Sequence, residues 1–312
     1  MINTEIPTRK INRGSQKNRL SSGSPSTLRG ALYLSLAASI WGAMFVMVRI
    51  AVPVIPPIPL VFMRYLTAIF ALFAFGEAKH VSWHIDKNDW LTVFLVGLIG
   101  QTISIVTQET GTMLTSAQMG SIITAATPAF MVIFARLILR EKLTVARMLS
   151  VVFATIGVLI IVAGPSDIEM NSMLGGVSLT VAALTWGLMS VLLKKIPQYS
   201  SITITFYGVL IALVLLAPCT TYWLSGVDKS SLASAPVWLA VLYLGIVSTA
   251  GGFIFWNMGL KEMDASVSGI FFFFQPIVGT LLGWLFLGEP VTIYFWVGSA
   301  LVAAGVLLVM KK

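Results

Sequence analysis

Long apolar runs recur along this 312-residue chain and constrain its fold more than any other feature. A helix that crosses the hydrocarbon core of a bilayer, about 30 Å thick, needs about 20 residues. Ten runs are near this length, at 32–52, 58–76, 90–111, 118–139, 145–163, 174–193, 202–224, 237–259, 267–287 and 293–310. None alternates apolar and polar residues as a membrane barrel strand does. With 57% hydrophobic and 10% charged residues, the chain is predicted to be an all-α membrane protein with ten transmembrane helices.

The sequence repeats itself at an offset of 148 residues, most clearly over 117–159. Apolar identities follow from composition alone, whereas proline, glutamate and glycine matched at one offset indicate a duplication. The matched pairs of this kind are Pro128/Pro276, Glu141/Glu289 and Gly157/Gly305. Because each copy has an odd number of helices, the second copy enters the membrane from the opposite side. The predicted fold is therefore two inverted five-helix repeats.

The composition also divides the chain into domains. Residues 1–29 are rich in Ser, Asn, Arg and Lys, with few apolar residues, which predicts a disordered basic tail in the cytoplasm. The first repeat, with helices 1 to 5, then occupies 30–163, and the second, with helices 6 to 10, occupies 173–310.

Basic residues fall mostly on one side of this topology. If the N-terminus is cytoplasmic, seventeen of the 20 Lys and Arg residues lie in inner segments and only Lys229 lies in an outer loop. The other two, Arg49 and Arg64, lie towards the outer ends of helices 1 and 2. This is the positive-inside bias. It predicts a multi-pass protein of the cell membrane with both termini in the cytoplasm.

Each repeat reads small residue, apolar run, Pro, apolar run, Glu-x-x-Thr, and a helix ending Gly-Val-Leu. Over residues 30–310 this pattern resembles the two EamA domains of the drug/metabolite transporter superfamily. The second copy is the more typical, and the first departs from the pattern with Arg140 and Lys142 around its glutamate. The resemblance implies ten helices, a central cavity lined mainly by helices 1, 3, 4, 6, 8 and 9, and export or exchange of small metabolites. It implies no particular substrate.

The duplicated prolines, Pro128 and Pro276, fall inside predicted helices, where each removes a backbone hydrogen bond. One hypothesis is that they are hinges that let the repeats rock about a midplane site. The alternative is a pair of static kinks kept for packing. Thr124, Thr127 and Gln275 lie close to the prolines and are predicted to supply polar contacts to a substrate at that depth.

Two ionisable residues, Arg64 and Glu109, lie inside predicted spans near their outer ends. Such residues are costly in lipid and usually face a cavity or a partner. One hypothesis places them at an outer vestibule, where Arg64 attracts a carboxylate and Glu109 binds an amine or carries a coupling proton. The alternative is that Arg64 and Arg49 reach to the interface while Glu109 forms a structural ion pair.

Repeat-related polar and aromatic residues complete the predicted substrate site. The offset pairs Gln108 with Trp256 and Glu109 with Asn257, and the Trp-Gly dipeptides at Trp41 and Trp186 form a further pair. We predict that Trp41, Gln108, Trp186, Trp256, Asn257 and Gln275 surround one cleft between the repeats, with the two prolines across from each other. The alternative for the tryptophans is an interfacial position. Glu141 and Glu289 are interpreted as turn or cap residues.

Several classes of function are disfavoured. The chain has no Walker loop, dinucleotide fingerprint or zinc-binding His-Glu-x-x-His motif. We therefore expect neither ATP-driven pumping by this chain alone nor a bound cofactor or metal. No histidine lies in the spans, which argues against an enzyme. The predicted partners are a small-molecule substrate and the lipid bilayer, not nucleic acid, with a monomer or homodimer both open.

The predicted function is a secondary transporter or facilitative exporter of small organic metabolites, with amino acids as the leading class, working by alternating access. A sugar-phosphate or nucleotide-sugar exchanger is the alternative within transport. A membrane receptor or scaffold is the alternative outside it.

Overall fold

The computed structural model describes residues 25–162, 170–225, 234–288 and 293–310, and within these ranges the chain is helical with no strand. The rest, including Glu289 and residues 1–24 of the predicted tail, lies outside the described residues. The helices are α1 (Pro25–Ala51), α2 (Pro57–Ala78), α3 (Lys87–Leu114), α4 (Ala117–Ile138), α5 (Val145–Val162), α6 (Met170–Leu193), α7 (Ser201–Leu224), α8 (Ala235–Glu262), α9 (Ala265–Leu287) and α10 (Ile293–Met310).

Helix α1 begins inside the segment predicted to be disordered, so residues 25–29 correct that boundary. The reason is local: Pro25 suits the first position of a helix, where its missing N–H would be unpaired in any case. Arg29 then pairs with Glu262 at the end of α8, which ties this first turn to the bundle.

Eight of the described helices, α1 to α4 and α6 to α9, are long and apolar enough to cross a membrane. Helices α5 and α10 are apolar segments of 18 residues each that pack against one another. An all-helical, multi-pass architecture is therefore found as predicted. Ten membrane spans stay a prediction.

Packing between the two copies is symmetric. Helix α1 lies against α8 and α9 of the second copy, and its counterpart α6 lies against α3 and α4 of the first. Helix α2 packs on α7, the equivalent element, as α5 does on α10. The interface between the repeats therefore runs through the centre of the bundle.

Polar contacts gather several helix ends at one end of the bundle, which shows the inverted direction of the second copy. The start of α1 lies beside the end of α8, the start of α3 lies beside the α6–α7 connection, and the start of α9 lies beside the start of α5. The contacts are Arg29–Glu262, Tyr199–Asp89 and Arg147–Asp264. We call this the basic end: the start of α1 together with the α2–α3, α4–α5, α6–α7 and α8–α9 connections.

Matched irregularities interrupt the helices of both copies. Helix α4 is broken by a turn at residues 125–126 just before Pro128, and α9 contains a tighter 3-10 segment, Gly269–Phe273, just before Pro276. Each proline thus lies in the first turn of a new helical segment, where no hydrogen bond is lost. Wide π-helical turns interrupt α3 at Val96–Ser104 and α8 at Tyr243–Gly251, and these were not predicted.

Candidate functional site

A small cavity of about 20 Å³ lies at the centre of the bundle, between the two repeats. This is room for about one water molecule. Seven of the ten residues predicted to bind substrate line it, and they come from six helices: Trp41, Arg64, Gln108, Thr124, Thr127, Trp186 and Gln275. The fold therefore brings most of these residues together at one place. Glu109, Trp256 and Asn257 do not line this cavity.

The two Trp-Gly dipeptides are related by the repeat and meet at the cavity. The rings of Trp41 and Trp186 lie edge to face with their centroids 4.9 Å apart, so neither indole is interfacial. The glycine beside each lets a helix of the other half approach: a Cβ on Gly42 would lie 2.8 Å from the carbonyl oxygen of Gln275. The N–H of Trp41 donates to the carbonyl of Ser248 at 3.0 Å. The buried N–H of Trp186 has no partner among the described residues.

Trp256 supports the wall of the cavity from behind. It is fully buried, its ring lies 4.5 Å from that of Phe272, and its N–H donates to Ser190 Oγ at 3.3 Å. Phe272 itself lines the cavity together with Phe253, and sequence reasoning missed both. The signal available was the run of four phenylalanines at 271–274 that ends at Gln275 and Pro276.

Arg64 and Glu109 bond directly to each other across α2 and α3, with Arg64 Nη1 2.7 Å from Glu109 Oε1. Their side chains are 0% and 1% exposed, so Arg64 does not reach to the interface, which corrects that alternative. The reason is that a buried guanidinium beside a buried carboxylate keeps each charge compensated. Arg49 instead donates to the carbonyl of Met113 at 3.1 Å, in the last turn of α3.

The wide turn of α8 completes the surroundings of Arg64. Thr249 Oγ1 accepts from Arg64 Nε at 3.0 Å and from Nη2 at 2.9 Å, and Ser248 Oγ lies 3.3 Å from Nη2. Gly245, in the same turn, leaves room for the backbone of α2 at Arg64. Arg64 is the only charged residue that lines the central cavity within the part of the chain that the structure describes. Glu109 Oε2 has no partner there.

Polar side chains connect the broken segments of α4 and α9. Thr124 Oγ1 lies 3.2 Å from Gln275 Oε1, and Thr127 Oγ1 donates to the carbonyl of Thr124 at 2.6 Å. Thr127 and Gln275 are themselves related by the repeat offset. The prolines do not mark a simple facing pair: Pro128 packs on α9 at Gly269, where a Cβ would lie 3.1 Å from its Cα.

Asn257 lies elsewhere, which corrects the prediction of a single cleft. It lines a separate cavity of about 250 Å³ at the basic end and donates from Nδ2 to Thr205 Oγ1 at 3.1 Å. Because Asn257 is only five residues from the end of α8, its depth places it away from the centre. No three His, Cys, Asp or Glu side chains among the described residues are placed to hold a metal ion.

Glu141 acts as a cap, but for the other repeat. Its carboxylate accepts from the backbone N–H of Ala265 at 3.1 Å and from the hydroxyl of Ser266 at 2.7 Å, at the start of α9. Arg147 lies beside it at 3.7 Å and pairs with Asp264. These contacts join the two repeats at the basic end.

Comparison with known proteins agrees with this architecture. Residues 28–163 and 173–311 each match the EamA-like transporter family. A permease-like protein of Bacillus subtilis (strain 168), YdzE, is 61% identical over 71 residues, which cover 23% of this chain and 91% of that protein. An uncharacterized transporter of Archaeoglobus fulgidus is 27% identical over 284 residues, 90% of this chain and 98% of the relative. One crystal structure superposes with a TM-score of 0.75 at 20% identity, covering 90% of this chain and 96% of the other, which supports the fold alone.

Proposed function

Because the chain belongs to the EamA-like transporter family, we propose that it is a secondary transporter or facilitative exporter of small organic metabolites, with amino acids as the leading class. The observation that carries the proposal is the central cavity, to which both repeats contribute a Trp-Gly dipeptide and matched polar residues. A site at the interface of two inverted repeats can open to either side when one repeat rocks against the other. The family's relatives are transporters rather than enzymes.

The chemistry of the cavity favours a solute without net charge. Among the described residues its lining is aromatic and apolar with two amides, two threonines and one serine, and its one cation, Arg64, is already paired with Glu109. A polyanion such as a sugar phosphate would need several uncompensated cations, because a buried charge requires a partner. The unpaired N–H of Trp186 offers a donor to a carboxylate or carbonyl oxygen. These features support a zwitterionic or amphipathic substrate.

We propose that the cavity described here is the closed form of the site. A volume of about 20 Å³ is far below the 300–1,000 Å³ or so of ligand pockets. The breaks before Pro128 and Pro276 lie where α4 and α9 border the cavity, so they are the proposed hinges for its opening. The proposal includes ten membrane spans and a cell-membrane protein with both termini in the cytoplasm.

The test is solute counterflow in proteoliposomes that contain the purified chain. We expect vesicles loaded with an unlabelled amino acid to take up the labelled one, and vesicles loaded with a sugar phosphate or nucleotide sugar not to exchange it. Trp186→Phe should raise KM several-fold because it removes the N–H donor, while Trp90→Phe, at an exposed position, should not. Exchange of phosphates would favour the alternative substrate class, and a folded protein that exchanges nothing would favour a receptor or scaffold.

A further inference from the structure

The cavity at the basic end has a charge pattern that the central site lacks. It lies between the α6–α7 connection and the last turn of α8, and Lys194, Lys261 and Asn257 provide its charged and amide groups. No carboxylate lines it within the described residues. At about 250 Å³ it is more than ten times the volume of the central cavity. Nothing in the proposed central site requires it.

The two lysines are fixed in place by backbone carbonyl groups of the last turn of α8 and of the two neighbouring connections. Lys194 Nζ donates to the carbonyls of Leu260 at 2.5 Å and Met263 at 2.6 Å, and Lys261 Nζ donates to that of Tyr199 at 2.5 Å. An ammonium group carries three N–H donors, so both lysines keep donors for a ligand. Burial lowers the pKa of Lys194, an effect that Asp264 and Glu141 oppose. A bound anion would further stabilise its charged form.

Asn257 contributes the complementary group, a buried acceptor without a donor. Its side chain is 6% exposed and its Oδ1 has no partner among the described residues. The amide orientation is fixed by Thr205, whose hydroxyl donates to the carbonyl of Ser201 at 2.8 Å and can therefore only accept from Asn257 Nδ2. Turning the amide around would place two acceptors together. The group of Asn257 left without a partner is therefore its carbonyl oxygen, which can accept from a ligand that brings a donor.

We propose that this cavity is a second solute site, for a molecule that carries both a carboxylate and an ammonium group. Asn257 and Lys261 are four residues apart on α8, so they are neighbours on one face, separated by about 6 Å along the helix. The carboxylate lies against the lysines and the ammonium donates to Asn257. A volume of about 250 Å³ suits a small amino acid rather than a nucleotide sugar.

This site extends the proposed function, because it binds the same class of solute at the end of the bundle that the charge distribution predicts to be cytoplasmic. Lys194 of this cavity interacts electrostatically with Asp264 and Glu141, which belong to the contacts that join the two repeats at the basic end. The solute class rests on the proposed function. The site itself rests on the lysines and on Asn257.

The experiment measures protection of a cysteine at Pro197, an exposed residue that lines the cavity. Pro197→Cys is made with Cys219→Ser in the full chain and labelled with a maleimide in detergent free of phospholipid, so that no lipid headgroup competes. L-alanine, L-threonine and L-leucine are tested singly. We expect at least one to slow labelling several-fold, whereas propanoate, ethylamine and inorganic phosphate do not.

Variants of the cavity residues then test whether the protecting amino acid binds in this cavity. Asn257→Leu and Lys261→Met should each abolish protection, and Lys195→Met, an exposed lysine that does not line the cavity, should retain it. Gel filtration confirms that each variant is folded. The site is overturned if no amino acid protects, if propanoate or phosphate protects equally, or if protection survives both cavity variants. Protection without counterflow would support this site and contradict the proposed function. Counterflow without protection would support the proposed function and contradict this site.

Discussion

The guanidinium of Arg64 is the most enclosed charge among the described residues, and its surroundings are built from both repeats. Glu109 comes from the first repeat, while Ser248 and Thr249 come from the wide turn of α8 in the second. A rearrangement between the repeats would therefore change the partners of Arg64 while it keeps Glu109. This makes the pair both a stabilising contact and a candidate sensor of the state of the central cavity.

A double-mutant cycle tests the pair at the residue scale. Arg64→Met or Glu109→Gln alone leaves the other group without its partner, and breaking a buried ion pair costs about 3–5 kcal/mol, so a marked fall in apparent Tm is expected. The double variant should recover most of the loss, because no uncompensated charge remains. Apparent Tm is measured by loss of the monodisperse peak on heating in detergent.

Arg49→Met is the control for this cycle, since Arg49 is only half-buried and donates to a carbonyl near a helix end. It should lower the apparent Tm much less. Additive losses in the double variant would show that Arg64 and Glu109 do not stabilise each other.

The sequence identified both members of this pair but not their contact. A charged residue inside an apolar run can be recognised in the sequence, and its depth in the membrane follows from its position in that run. The contact depends instead on how α2 and α3 are rotated about their axes, which is set by close packing of small residues. The sequence analysis also missed Ser248 and Thr249. A serine-threonine pair is ordinary in a membrane helix, and its contact with Arg64 depends on the same rotation of the helices.

At the scale of elements, glycine determines how closely the helices of the two repeats approach. A Cβ on Gly42 in α1 would lie 2.8 Å from both the carbonyl oxygen of Gln275 and the Cβ of Val278 in α9. Its counterpart Gly187 in α6 would meet the Cβ of Phe130 in α4 at 3.0 Å. An equivalent glycine contact between the repeats therefore occurs twice, once between α1 and α9 and once between α6 and α4.

Substituting Gly42 tests this crossing. Gly42→Ala should destabilise the protein by about 1–3 kcal/mol, because backbone atoms of α9 must move to admit the methyl group. Gly176→Ala is the matched control, since its nearest neighbour would be 3.9 Å away and alanine favours a helix more than glycine does. It should be neutral or slightly stabilising. Equal Tm values for the two variants would contradict the assignment of Gly42 as a contact between repeats.

The positions of the helices could be predicted from the sequence, whereas the breaks and wide turns within them could be predicted only in part. Hydropathy locates ten apolar runs, and eight of them are described helices long and apolar enough to cross a membrane. Proline marks the breaks in α4 and α9. The wide turns of α3 and α8 carry no proline. The glycines that the repeat pairs in these turns, Gly97 and Gly245, are as compatible with a regular helix that packs closely, so the sequence did not distinguish a wide turn from a regular helix.

For the whole molecule, duplication predicts more about topology than about the site. Contacts at the basic end confirm that equivalent helices run in opposite directions. The same inversion explains why Asn257 and Glu109, equivalent by sequence, lie in different places. An inverted repeat maps a residue near one end of the bundle onto a residue near the other, so only positions close to the midplane converge. Trp41 and Trp186 satisfy this condition and Asn257 does not.

The contacts at the basic end also indicate what holds that end closed. Glu141 of the first repeat caps the start of α9, and Arg147 pairs with Asp264 immediately before it. Hydrogen bonds to a charged group contribute about 1.5–3 kcal/mol each. If the repeats rock against each other, these contacts must break when the central cavity opens to this end. They therefore bias the equilibrium towards the closed form.

Glu141→Ala is expected to shift this equilibrium towards the form that is open at the basic end. A change of about 1.4 kcal/mol is tenfold in population, so a cysteine at Ala183, which lines the central cavity, should label about tenfold faster with an impermeant maleimide. The cysteine is placed in a Cys219→Ser background, and reagent is applied from the side of the basic end. Lys142→Ala removes an adjacent exposed side chain that makes no such contact and should leave the rate unchanged. An unchanged rate in Glu141→Ala, in a protein that remains folded, would mean that the carboxylate stabilises the start of α9 without controlling access to the cavity.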